Sequence, residues 1–110
     1  MRAFHPQERT TVSDIHIRRD HQLGLDEARK VAHAWAVKAR QKFDMHCTYE
    51  PGEGHDRVLF HRAGVKGWLK VNGDCFEMHA TLGFLFTAFK ARIEAEIAAQ
   101  LDKLLGSAQA

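Results

Sequence analysis

The sequence predicts an α+β fold, β-α-β-β-β-β-α, with one antiparallel sheet and two helices on one of its faces. Three observations carry this. Apolar residues recur at spacings of three and four over Leu25 to Phe43 and again after Gly83. Between those stretches they alternate with polar residues at period two, and Gly-containing breaks divide that middle into four strands. At 110 residues the chain is long enough for one hydrophobic core and too short for two.

Residues 1–12 show neither period and contain Pro6, so they read as a flexible arm ahead of a single domain over 13–106. The first strand, Ser13 to Asp20, alternates Ile15 and Ile17 with His16 and Arg18. Gly24 ends the connection. The first helix, Leu25 to Phe43, carries the apolar stripe Leu25, Ala28, Val31, Ala32, Trp35, Ala36, Ala39 and Phe43, with Asp26 and Glu27 at its positive end and basic residues at the other. The second strand runs from Met45 to Glu50 and stops at Pro51-Gly52-Glu53-Gly54. The third, Arg57 to Arg62, turns Val58 and Phe60 inward and Leu59 and His61 outward. Ala63-Gly64 reverses the chain into Val65 to Val71, which turns Lys66, Trp68 and Lys70 outward. Asn72-Gly73 is a strong hairpin signal, and the last strand, Cys75 to Leu82, buries Phe76, Met78, Ala80 and Leu82. A second helix of some six turns then carries the stripe Phe86, Phe89, Ile93, Ile97, Leu101 and Leu104 and stops at Gly106, leaving 107–110 as a flexible tail. The first strand, reached by a helical crossover, completes one sheet edge. The arrangement reads as a small relative of helix-grip architectures.

Composition narrows the function classes. The formal charge of +2 is too small to point to nucleic acid. Cys47 and Cys75 form neither a disulfide framework nor a CxxC pair, and alternation places them on opposite sheet faces, so both are expected as free thiols in a reducing compartment. Cys47 reads as an inert core thiol, while Cys75, at a turn, reads as exposed and oxidisable. No run of about 20 apolar residues occurs, and the start lacks the apolar core of a signal peptide, so the expectation is a cytoplasmic protein without integral membrane contact.

Two segments, DIHIRRDHQLGLDEARKVA (14–32) and LGFLFTAFKARIEAEIAAQLDKLL (82–105), carry a family resemblance. They include His16, Arg18, Arg19, His21, Gly24, Leu25, Ala28 and Arg29, then Gly83, Phe84, Phe89, Lys90, Ile93 and the DKLL ending. Over about residues 13–105 the chain resembles the bacterial polyhydroxyalkanoic acid system proteins, matching in the middle strands mainly by pattern. The resemblance implies an association with polyester storage granules and no assigned catalytic residues. A granule or a granule protein is then the implied partner.

The residues add no reaction. Eight histidines occur without HExxH, HxH or a zinc-type Cys/His cluster, so neither a metal nor a cofactor is expected. No GxSxG elbow exists, and the glycine turns join antiparallel strands, where phosphate loops do not form. If the first and last strands pair, His16 and His79 become neighbours on the outer face. That open face is the expected interaction surface, through self-association as a homodimer or partner contact. Trp68 beside Leu59 would be its apolar centre, with Lys66, Lys70, His61, His79, His16 and Thr48 around it. Arg18, Arg19 and His21 form a candidate anion-contact segment. The leading reading is a non-catalytic accessory or binding protein, and the alternative is a domain holding a fatty or hydroxyacyl ligand between its C-terminal helix and sheet. An internal apolar pocket of about 300 Å³ or more would favour the latter.

Overall fold

The computed structural model describes residues 12–109. The elements follow in the expected order: β1 (Val12–Asp20), α1 (Leu25–Phe43), β2 (His46–Glu50), β3 (Asp56–Arg62), β4 (Val65–Val71), β5 (Cys75–Gly83), a 3-10 helix (Phe84–Phe89) and α2 (Lys90–Gln109). The five-stranded sheet has the order β1-β5-β4-β3-β2 with every neighbouring pair antiparallel. Consecutive strands joined by short turns pair in sequence, and the helical crossover returns β1 to the far edge beside β5. The expected arm lies outside the described residues except for Val12, which opens β1.

Strand parity decides the two faces. Ile15, Ile17, Val58, Phe60, Leu69, Met78, Ala80 and Leu82 are buried with Trp35 and the small residues of α1 and with Ile97, Leu101 and Leu105 of α2 in a single core. Both helices therefore cover the same face. Gly67 is part of that inner row, opposite Phe60 and Ala80, and a Cβ there would meet His79 O at 2.2 Å and Phe60 at 2.9 Å. The missing side chain lets the Phe60 ring lie over β4, where Trp35 packs on it edge-on with ring centroids 5.3 Å apart.

Turns tie the two ends of the sheet together. At one end the β1–α1 connection docks on the Asn72-Gly73 hairpin: His21 N–H donates to Asp74 O (2.9 Å) and Gly24 N–H to Gly73 O (3.0 Å). At the other, Gly83 N–H donates to Gly64 O (2.8 Å). Gly64 has φ +83°, a conformation that favours glycine, and a Cβ there would strike the Phe86 ring at 2.2 Å.

The C-terminal segment departs from the expectation. The chain does not enter one long α-helix after Gly83; six residues form a 3-10 helix first. Phe89, the last residue of that 3-10 helix, does not join the stripe that Ile93 and Ile97 begin. Phe89, expected inside, is 54% exposed, and Phe84 and Leu85 are 62% and 72% exposed. Gly106 does not stop α2, which continues to Gln109, so residues 107–109 extend the helix where a tail was expected. Gly106 is exposed, with nothing within 4 Å of a Cβ position, and neighbouring turns carry the helix through it.

Candidate functional site

The outer sheet face assembles as three cross-strand rows. The middle row runs across all five strands as Thr48, Leu59, Trp68, His79 and His16. One neighbouring row is His46, His61, Lys66, Thr81 and Asp14; the other is Glu50, Arg57, Lys70, Glu77 and Arg18. The expected interaction residues are thus brought onto one surface by parity and register. Leu59 stands directly opposite Trp68, and the indole stacks on the His79 ring with centroids 5.7 Å apart. His79 lies 6.4 Å from the His16 ring, and His16 Nε2 sits 3.0 Å from Glu77 Oε2. His46 and His61 stack at 5.2 Å. Leu59, His61, Lys66, Trp68 and His79 line one shallow groove. Leu59 and Trp68 are half-buried by these neighbours, so the row is a mixed surface of imidazole, indole and ammonium groups.

The HIRRDH segment does not assemble as an anion site. Arg18 and Arg19 are consecutive on β1 and point to opposite faces. Arg18 Nε donates to Asp20 (3.1 Å), and Arg19 makes a two-pronged contact with Asp102 of α2 (2.7 and 3.3 Å), clamping the helix to the sheet edge. His21 is 6% exposed, with its ring centroid 4.6 Å from that of Phe76. Leu23 N–H donates to His21 Nδ1 (3.1 Å), which assigns the neutral ring's proton to Nε2, and Nε2 has no acceptor among the described residues.

Burial, only partly opposed by Asn72 and Asp74, holds the His21 pKa below its ordinary value. An unfolded chain accepts that proton near pH 6.5, so the stability from neutral His21 is complete above 6.5 and is lost as pH falls through the folded-state value. The denaturant midpoint is expected to fall between pH 7.5 and 5.5 by more in the wild type than in His21→Leu. Equal falls would show that His21 titrates alike in both states.

A polar cluster that the alternation did not reveal lies at the β2–β3 turn. Asp56 is 1% exposed. Arg29 donates to both its oxygens (2.8 and 3.3 Å), Tyr49 Oη donates to Oδ2, and Gly52 N–H donates to Oδ1 (3.0 Å). His33 stacks on the Tyr49 ring at 3.9 Å. Burial alone would raise the Asp56 pKa, but the hydrogen bonds from Arg29, Tyr49 and Gly52 outweigh it and hold the carboxyl below its ordinary value. The same burial and the anionic partner push the Tyr49 phenol well above its usual range. The cluster anchors the turn to α1.

Burial pushes the Cys47 thiol up, partly offset by Arg40. Cys75, expected to be exposed, is buried at the Asn72 turn, with Asn72 Nδ2 3.5 Å from its sulfur. Both thiols are free. Among the described residues no group of three or more His, Cys, Asp or Glu is placed to hold a metal ion, and no helix is long and apolar enough to cross a membrane. Between α2 and the sheet the interior leaves a partly enclosed cleft of about 180 Å³, below the 300 Å³ set for a fatty ligand.

Together these features define an α+β domain with one sheet face covered by helices and one open, its unusual side chains gathered at the surface. The chain belongs to the family described as putative polyhydroxyalkanoic acid system protein, whose model matches residues 15–105. No curated protein matches it.

Proposed function

We propose that the protein is a non-catalytic accessory of the polyhydroxyalkanoate system that acts in the cytoplasm by binding the polyester granule surface. One observation carries the reading: Phe84, Leu85 and Phe89, three large apolar side chains, are strongly exposed within the one six-residue 3-10 helix. Lys90 and Arg92 follow directly, and residues 82–93 contain no acidic group. A polyester surface is apolar and offers ester carbonyl acceptors, which suits aromatic contact flanked by N–H donors. The raised Cys47 and Tyr49 pKa values and the fully occupied Asp56 carboxylate support binding over chemistry.

Co-pelleting with protein-free polyester particles tests this. The Phe84→Ser, Leu85→Ser, Phe89→Ser triple variant is expected to lose at least tenfold in bound protein while the chain stays folded, because more than half of each side chain it removes is already in water. Unchanged pelleting would overturn the reading. Binding to native granules but not to bare polyester would transfer the contact to a granule protein. The Leu59–Trp68 pair favours a second reading, a homodimer through the open face, in which Trp68→Ala lowers the sedimenting mass without unfolding the chain.

A further inference from the structure

The cleft between α2 and the sheet has a chemistry of its own. Its walls are apolar: Met45 before β2, Val65 at the start of β4, Phe86 of the 3-10 helix, and Ile93 and Ile97 of α2. Two charged side chains line it as well, Arg62 from the end of β3 and Glu96 from α2. Arg62 uses one N–H on the Phe43 carbonyl (2.9 Å), which ties the end of α1 to the sheet and anchors a guanidinium that has five donors in all. Glu96 receives one N–H from Arg92 at 3.3 Å through Oε2, in an exposed pair that competes weakly with a ligand.

From this arrangement we infer that the cleft is a binding site for a short-chain hydroxycarboxylic acid. The ligand's carboxylate meets Arg62, its hydroxyl donates to Glu96, and its alkyl carbons lie against Ile93, Ile97 and Phe86. Volume sets the length. A cavity of about 150 Å³ holds benzene, so about 180 Å³ accommodates a molecule of roughly seven non-hydrogen atoms and leaves most of a long acyl chain in water. Charge sets the ends, because a simple fatty acid engages Arg62 alone, whereas a hydroxy acid adds a hydrogen bond to Glu96, whose half-exposed carboxylate is otherwise shared by Arg92 and solvent. The inference goes beyond granule attachment and does not depend on it, since the exposed apolar residues and the cleft are different surfaces of the same 3-10 segment.

The probe is 3-hydroxybutyrate, titrated into the isotope-labelled full chain and followed by the NMR signals of Val65, Ile93 and Ile97. Saturable shifts at these residues are expected, with butyrate and decanoate each at least fivefold weaker. Arg62→Gln is expected to weaken 3-hydroxybutyrate at least tenfold, and Glu96→Ala to abolish the preference over butyrate. Ile93→Trp, which fills the cleft from its exposed side, should remove binding while the remainder of the spectrum stays that of the folded protein. This keeps the test meaningful if Arg62→Gln loosens the end of α1. Polyester particles are expected not to displace 3-hydroxybutyrate, because a terminal unit of the polymer carries either a free carboxylate or a free hydroxyl and never both; displacement by the particles would overturn the two-ended contact. Absence of saturable shifts in the wild type, or equal affinity for 3-hydroxybutyrate and butyrate, would overturn it. The Phe84, Leu85, Phe89 triple variant should still bind 3-hydroxybutyrate, so loss of granule pelleting and loss of ligand are read separately.

Discussion

Trp35→Ala is expected to destabilise the protein by about 3–5 kcal/mol, the cost of removing a large buried aromatic and leaving a cavity that the surroundings fill only in part. Trp35 is the largest fully buried side chain, fixed between α1 and the sheet by its edge-on contact with Phe60. The site has little room to collapse, because Phe60 already rests over Gly67 and the flanking helix residues Ala28, Ala32, Ala36 and Ala39 are too small to reach in. Trp35→Phe should cost clearly less. The indole Nε1 is buried without a partner among the described residues, so the ring substitution removes an unsatisfied donor along with the packing it loses. Chemical denaturation of the three proteins checks this; equal costs for Ala and Phe would mean that packing volume at this position is not what holds α1 to the sheet.

Asp56→Ala is expected to cost about 3 kcal/mol, the lower end of the range for breaking a buried ion pair. The change leaves the Tyr49 hydroxyl, the Gly52 N–H and the Arg29 guanidinium without their acceptor. Arg29 is 36% exposed and can turn to water, which moderates the loss. Asp56→Asn keeps an acceptor oxygen and should cost less. Tyr49 is the only tyrosine, so ultraviolet absorbance titration follows its phenol directly. In the wild type the phenol should ionise above the ordinary tyrosine range, and in Asp56→Ala its pKa should fall but stay above the ordinary value, because burial, the larger cause of the shift, remains while the carboxylate's share is lost. A tyrosine titration unmoved by the substitution would show that the carboxylate does not face the phenol in solution.

The Asp56 network also marks where reading by alternation stops. The strand read from the sequence, Arg57 to Arg62, begins one residue after Asp56, so alternation assigned that carboxylate to no face. Its burial follows from Arg29 on α1 and Tyr49 on β2, which converge only when the helix docks. His21 presents the same problem in a different form. Its neighbourhood in sequence, Arg18 to His21, is charged, while its neighbourhood in space is Phe76 and the β4–β5 hairpin. By contrast, the Leu59–Trp68 pair was legible before any coordinates, because hairpin register follows from the Ala63-Gly64 reversal and from period-two alternation.

The sequence by itself determined the order of the strands and the two α-helices, the face of most strand residues and the single-sided placement of both helices. These depend on local periodicity and turn chemistry, which one segment carries within itself. Only the tertiary structure decided how the last strand hands over to the last helix. The Phe86 ring seats over Gly64, and six residues wind as a 3-10 helix to bring it there. Phe84, Leu85 and Phe89 lie exposed on that segment, and the cleft lined by Phe86 lies beside Arg62 and Glu96. A contact between residues 64 and 86 outweighed the helical period of the segment, since long-range packing overrides a local preference worth only a few tenths of a kcal/mol per residue, of order.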